Sequence, residues 1–439
     1  MKILLVRPKP DPRTINLQSF MICEPLELEY LAAYLEPCGH SVAIVDMILE
    51  KRGLPYFLGL HRPDVVGFTA YLPHINVVKA YARKAKAYDP RIVTVVGGVH
   101  AEVRPQDFAD TNIDYVTGRN GMQAFKAIID GTYAGPDAEV ETRFAYPFPD
   151  RTKTAKYRKH YNYIYHEKCA TLKTSFGCAF NCDFCFCTQI TQNKYFCRDL
   201  DDVIAEIKTI AEDNIFIVDD NFLYDPKRVE HFCDLLQEHG IRKNFILFGR
   251  ADFVAHHPAT MLRLKSVGLE AVFMGIESFT QAELTDLNKK SSVEENIRAI
   301  NFLEKHDISC YCGIMAGHDW DRGDFDALIS YLNSFKYPMT NIQPVTPIPG
   351  TPFYDRMRDA LTKDLDECEL WDMAHILVQP AKLSVSSFYY NILRAYTKTS
   401  LKPKMHVMIL RKYGLKTYLR TLKGVIHISL QYWKLILKS

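Results

Sequence analysis

The sequence has no uninterrupted apolar run near the 18 or more residues that a membrane-spanning helix needs, so no spanning segment is expected. It has almost no net charge. Its 54 Lys and Arg stand against 52 Asp and Glu, a balance of +2, so the molecule as a whole has no electrostatic preference for a charged partner. No secretory leader is expected, because MKILLVRPKP runs straight into a strand pattern. The 12 cysteines therefore do not read as a disulfide framework, and a reducing cytoplasm fits them. Acidic residues are missing after Asp372, whereas twelve Lys and Arg lie between Lys382 and Lys438. Apolar and aromatic residues such as Leu415, Leu419, Ile426 and Trp433 are interleaved with them. A basic amphipathic segment of this type suits peripheral contact with a membrane interface. Helices packed on the rest of the chain with a solvated basic face are the plainer alternative. A nucleic-acid clamp is disfavoured, because the segment is too apolar to be a simple phosphate binder.

What is present is an alternation of strands and helices over 439 residues, enough for two or three domains. Apolar runs at Lys2–Arg7, Ser41–Asp46, Asp64–Ala70, Ile92–Gly97 and Asp114–Thr117 predict strands. Helical spacing predicts helices at Leu26–Leu35, Ile75–Tyr88 and Met122–Ile129. Such alternation means a parallel sheet covered on both faces, with ligands beyond the C-terminal strand ends. The stretch Thr132–Lys168 has no clear period. A second alternation follows it, with six strand–helix units ending near Thr346, too few for a closed eight-stranded barrel.

Between the two stands TSFGCAFNCDFCFCTQ, Thr174 to Gln189. Cys178, Cys182 and Cys185 have the spacing C-x3-C-x2-C. Three thiolates on one loop can hold three irons of a [4Fe–4S] cube and leave the fourth open to a small molecule. A zinc knuckle is the alternative for the spacing alone. Cys187 lies just beyond the completed triplet and reads as a spectator or neighbouring thiol.

This loop resembles the cluster loop of radical S-adenosylmethionine (SAM) enzymes. Further on, DDNF, GRAD, GIES and PIPGTPFY resemble signatures of the cobalamin-dependent branch, in the same order. Upstream, EPLELEYLAAYLEPCGHSVAIVD, PDVVGFTAY and VVGGVHA resemble the cobalamin-binding domain that precedes many of these enzymes. The resemblance implies an open iron that chelates SAM and reductive cleavage to methionine and a 5′-deoxyadenosyl radical. It implies SAM contacts at Glu277 and Ser278, at Asp220 and Arg250, and close approach of adenine at Gly313 and Gly317. It also implies cobalamin contacts at Thr69, Tyr71, Gly97, Gly98 and His100. Two departures stand out: no D-x-H-x-x-G follows the first strand, so no histidine is supplied from below cobalt, and Gly118–Gly121 reads GRNG where relatives usually carry an acidic G-E-G-E. An unoccupied Rossmann-like domain is the alternative.

The expectation is thus an α/β protein. A Rossmann-like cobalamin-type sheet (1–135) and a linker (136–168) precede a partial (β/α)6 radical SAM barrel (169–354) and a helical basic region (355–439). The expected activity is C-methylation of a lipophilic small molecule. Radical oxidative cyclisation is the alternative, and a non-catalytic iron–sulfur scaffold or electron carrier a more distant one. An external electron donor of flavodoxin or ferredoxin type is implied, and no nucleic acid.

Overall fold

The computed structural model describes residues 1–135, 146–336 and 339–438. Two parallel sheets organise it. The first contains β1 (Lys2–Arg7), β2 (Ser41–Asp46), β3 (Val65–Thr69), β4 (Val93–Gly97) and β5 (Tyr115–Val116), in the order β2-β1-β3-β4-β5. The order reverses between β1 and β3, and ligands of open α/β sheets bind beyond the strand ends at such a switch. Leu4, Leu5, Val66 and Val96 are fully enclosed because helices cover both faces. On one face lie α1 (Leu26–Leu35) and, later in the chain, the helix Gly121–Asp130. On the other lie α2 (Leu54–His61) and α3 (Ile75–Tyr88). The sequence pattern does not reveal α2, since LPYFLGLH is short and has no polar face. A five-residue helix, α4 (Val99–Val103), follows β4, and the helix of residues 121–130 is α5.

The second sheet contains β6 (Cys169–Leu172), β7 (Asn214–Ile217), β8 (Asn244–Gly249), β9 (Leu269–Glu277), β10 (Ser309–Ala316) and β11 (Met339–Pro344). These pair in sequence order, all parallel, and β6 and β11 are left as edges. The outer helices are α6 (Leu200–Thr209), α7 (Pro226–Glu238), α8 (Pro258–Ser266), α9 (Val293–Lys305) and α10 (Arg322–Asn333). Local capping sets their starts. Ser292 and Glu295 form a reciprocal capping box ahead of α9, and Asp321 and Asp324 do the same for α10. Inside the partial barrel Phe216, Ile246, Ala271 and Tyr311 form a core that Tyr163, Tyr165, Met405 and Ile409 close from below.

The segment between the sheets is not featureless. Arg151–His160 forms a run of 3₁₀ turns, and Asn162–Tyr163 pairs with Met21–Ile22. Residues 136–145 lie outside the described residues. Buried charges join here. Glu24 accepts from the Thr171 N–H at 2.5 Å, from the Thr171 hydroxyl at 3.0 Å and from Arg158 at 2.8 Å. Arg151 donates to the Thr171 carbonyl at 2.6 Å and to Glu206 at 2.9 Å, and Glu206 also pairs with Arg198. Removing one partner of such a buried pair leaves an uncompensated charge, at a cost of about 3–5 kcal/mol.

After the barrel, residues 358–378 return to the first sheet. Cys368, Trp371 and Leu377 join the core under α3, and Asn76 donates to the Asp366 carbonyl at 2.9 Å. Truncating Leu377 to Ala should cost about 2–5 kcal/mol through the cavity left behind. Then α11 (Val385–Ser400) packs along β11 and α10, and α12 (Pro403–Lys438) closes the chain, bent at Gly414 where φ is +79°.

Candidate functional site

The cysteine loop leaves the C-terminal end of β6 and is held there by the end of β7. Asp219 is buried, and its carboxylate accepts from the Thr174 N–H at 2.6 Å, the Thr174 hydroxyl at 2.5 Å and the Ser175 hydroxyl at 2.7 Å. Burial pushes its carboxyl up. Asp220 accepts from the Gly177 N–H at 2.8 Å and from the Cys187 thiol at 3.4 Å, with Lys173 Nζ 3.5 Å away. Burial opposes its charge, but Lys173 and these donors together hold the carboxyl below its ordinary value. Gly177 has φ +79°, and a Cβ there would collide with the Lys194 carbonyl and the Thr191 hydroxyl. Only glycine makes the turn into Cys178.

Cys178 and Cys185 are half-buried, Cys182 is buried, and all twelve cysteines are free thiols. Burial pushes the thiols of Cys178 and Cys182 up, whereas Cys187 lowers that of Cys185. Cys187, next to Cys185, donates its single S–H to Asp220. Arg250 and Lys289 both favour the thiolate of Cys182. Among the described residues no three His, Cys, Asp or Glu converge tightly enough to hold a single metal ion. A cube spreads its thiolates over several irons, so three thiols on one loop beside two cations have the right chemistry for a cluster. Coordination to a cluster would remove the proton that burial retains.

Arg250, at the end of β8, packs its guanidinium 3.6 Å from the ring centroid of Phe180, which lies between the first two cysteines. It donates to the carbonyls of Lys289 (2.9 Å) and Lys290 (3.1 Å) and pairs with Asp252 at 3.1 Å. Glu277, at the end of β9, has φ +61° and accepts from Lys289 Nζ at 2.8 Å. A non-glycine residue in that region is strained and persists only where its surroundings hold it. Ser278 is buried, and its hydroxyl donates to Glu283, which also accepts from Trp320 Nε1 at 2.5 Å. Gly313 lies within β10 against Phe273. Gly317 follows β10, where a Cβ would lie 2.8 Å from Asp319 and Trp320. Lys289 is the residue that the sequence reading missed. It stands in DLNKK, where no local pattern separates it from Lys290.

Across from this loop lie the C-terminal ends of β3 and β4. The α4 helix touches the short helix Cys187–Thr191, and Asp220 and Glu27 both act on the Tyr71 hydroxyl, so the two sheets face each other end to end. Thr69 is buried and donates to Glu27 at 3.1 Å. Tyr71 keeps 51% of its surface accessible, yet burial pushes its hydroxyl up, as in a recess between walls. Gly98 has φ +97°, and a Cβ would stand 2.7 Å from the Ala70 nitrogen. One on Gly97 would stand 2.7 Å from the Thr117 hydroxyl. These glycines leave bare backbone at the strand end, a cradle suited to the close approach of a large flat group. His100 is buried and donates through Nε2 to Asp107 at 2.8 Å. Burial pushes Glu102 up to about 7 despite Arg119, and lowers His74 to about 4. Arg119 of GRNG reaches Gln192, whose amide oxygen accepts at 2.8 Å in the orientation that satisfies both groups.

Comparison with known proteins matches this division. The B12 binding domain family matches residues 12–129, and the radical SAM superfamily matches residues 172–332. Together they cover more than half of the chain: a B12-binding domain followed by a radical SAM domain. The chain belongs to the cobalamin-dependent radical SAM enzymes. It is 26% identical over 416 residues to a hopanoid C-3 methylase of Methylococcus capsulatus, covering 90% of this chain and 79% of that one. It is 23% identical over 369 residues to an anaerobic magnesium-protoporphyrin IX monomethyl ester cyclase of Rubrivivax gelatinosus, covering 76% and 66%. In structure it is similar to TsrM, a radical SAM methyltransferase of Kitasatospora setae solved with cobalamin and a [4Fe–4S] cluster. There the TM-score is 0.66 at 15% identity, over 99% of both chains.

Proposed function

We propose that this enzyme C-methylates a lipophilic small molecule at an unactivated carbon. The observation that carries the reading is the C-x3-C-x2-C loop at the end of β6 facing the glycine cradle at the ends of β3 and β4. Cys178, Cys182 and Cys185 would hold the [4Fe–4S] cluster. Glu277, Ser278, Gly313 and Gly317 would border SAM, with Asp220 and Arg250 beside them. Thr69, Tyr71, Gly97, Gly98 and His100 would border cobalamin. When bound, the cluster supplies the electron that splits SAM, and cobalamin supplies a transferable methyl group.

The chain's own residues bind, orient and shield. Lys289 fixes the Glu277 carboxylate. Arg250, through Phe180, and Asp220, through the Gly177 N–H, hold the cysteine loop in one shape. Enclosure between two strand-end surfaces excludes water from a reactive carbon centre. We read the domains as 1–135, 136–168, 169–354 and 355–439. The match to a hopanoid methylase supports an apolar substrate. No helix among the described residues is long and apolar enough to cross a membrane. The segment beyond Asp372, which has no acidic residue, supports peripheral contact at the inner face of the cytoplasmic membrane, and electrons would come from a flavodoxin or ferredoxin.

The cyclase relative favours one other reading, oxidative ring closure. Anaerobic protein reconstituted with iron, sulfide and hydroxocobalamin, given reductant, methyl-deuterated SAM and an apolar polycyclic lipid extract, separates the two. A product that gains the labelled methyl is expected. A product that loses hydrogen without gaining label would replace methylation by cyclisation. Absence of 5′-deoxyadenosine would sink both.

A further inference from the structure

The C-terminal helix α12 has two halves with different surroundings. Before the bend at Gly414, Met405 and Ile409 close the barrel core, and Tyr413 stacks on Tyr165 with centroids 4.8 Å apart. Beyond the bend three faces are segregated. One face is anchored: Thr417 bonds Glu167, Gly424 lies against Phe20, and Tyr432 packs on Tyr389 and Tyr396. A second face is apolar and bare. Leu415, Leu419, Leu422, Ile426, Leu430 and Trp433 are 38% or more exposed, and Leu437 one turn further is 82% exposed. Their spacing of four, three, four, four, three and four residues keeps them within roughly 80° of arc on a helix of 3.6 residues per turn. The third face carries Lys416, Arg420, Lys423, Lys434 and Lys438, all along one edge of the apolar stripe, and of these Lys416 and Arg420 also pair with Glu167. No Asp or Glu occurs anywhere from residue 373 onward.

A bare stripe of this length on a soluble surface needs an occupant. A second protein surface would require acidic complements along a single edge. An anionic bilayer supplies negative charge at the headgroups and an apolar layer beneath, in the order that the helix presents them. Lysines edging the stripe can extend to headgroup level while their stems stay apolar. We propose that the stripe from Leu415 to Leu437 is the face that lies in an anionic membrane surface, with Gly414 turning it away from the half that closes the barrel. This rests on the peripheral contact proposed above and is independent of methyl transfer. Because Gly424, on the opposite face of the helix, packs on Phe20 beside the Met21–Ile22 strand, the docked helix lies between the junction of the two sheets and the lipid.

The chain carries its own reporter. Trp320 and Trp371 are 2% and 3% exposed, and Trp433 is 45% exposed on the stripe. The full chain is mixed with vesicles of phosphatidylcholine alone or with about a third phosphatidylglycerol, and flotation and tryptophan emission are followed. The expected result is flotation with the anionic vesicles, weakened by salt, with a blue shift that brominated acyl chains quench and that W433F abolishes. The double variant I426D/L430D should float at least tenfold less, with iron content and 5′-deoxyadenosine release unchanged. Flotation with unaltered Trp433 emission would leave peripheral contact standing and overturn this face. A blue shift that grows with protein concentration and doubled mass, without vesicles, would assign the stripe to a second copy and overturn the proposal. No flotation would overturn both.

Discussion

The two surfaces that meet between the sheets treat charge in opposite ways. On the cysteine side, the groups with a close ionic or hydrogen-bonding partner keep their charge, although burial still pushes Asp219, Cys178 and Cys182 up. Asp220 is held below its ordinary value, Lys289 is held above its own through Glu277 despite burial, and Cys185 is lowered by its neighbour. On the glycine side, burial prevails. Glu102 is pushed up to about 7, Cys23 to about 11 and Tyr71 higher, and His74 falls to about 4. In the proposed assignment one wall takes anionic sulfur and a zwitterion, the other a broad group met largely by backbone. A side chain does its work at the first wall by being present, and at the second often by being absent.

The strongest way to break this comparison is at the cysteines. C182A should lose the cluster iron and all 5′-deoxyadenosine while retaining cobalamin, read by iron content and visible absorbance of one sample. Simultaneous loss of cobalamin would mean that the walls are not independent. Next is G98V, which puts a branched side chain at φ +97° against the Ala70 nitrogen. Strain of about 1–3 kcal/mol and loss of the cradle should reduce bound cobalamin tenfold or more, with iron and SAM cleavage preserved. K289M leaves Glu277 without its partner. It should raise the KM for SAM roughly tenfold, since each 1.4 kcal/mol is a factor of ten, with iron content unchanged; an unaltered KM would remove Glu277 from the SAM-bordering set.

The smallest effect tests the glycine side by pH. Glu102 in the folded chain keeps its proton up to about pH 7, whereas unfolded it would lose it near 4.5. Between these values the native state binds more protons, so stability falls as pH rises through the window and stays lower above it. E102Q removes that fall. Its stability gain should be absent near pH 4 and reach at most about 3 kcal/mol by pH 8, seen as a Tm higher by a few degrees. A gain that did not vary with pH would mean that volume, not charge, is what matters at this position.

The same contrast explains what could be read from residues alone. Helices Leu26–Leu35 and Ile75–Tyr88 have the ends that the sequence predicts, the second because it has a clear apolar period. Most of the six barrel strands were legible as short apolar runs ending in polar residues, whereas β11, MTNIQP, is largely polar. The α2 helix was not, since LPYFLGLH has no period to detect, and neither were the 3₁₀ turns of Arg151–His160, made almost wholly of polar residues. The cysteines declare themselves by element and spacing. Lys289 does not, because its importance comes from a fold that brings it to Glu277. Phe180 is equally silent: an aromatic between two cysteines becomes informative only once Arg250 lies on it.

The buried charges around Glu24 have a consequence for how such a chain can be recombined. Glu24 and Glu29 belong to the first sheet's layer, Arg151 and Arg158 to the connecting segment, and Thr171, Arg198, Glu206 and Glu212 to the barrel. None of the three parts is electrically complete alone. Grafting the front half onto a foreign barrel would strand carboxylates in a dry seam unless residues 146–160 and α6 travelled with it. The halves are thus not interchangeable cassettes but a matched set, and their fixed mutual register keeps the mouth of the barrel aligned with the cradle opposite.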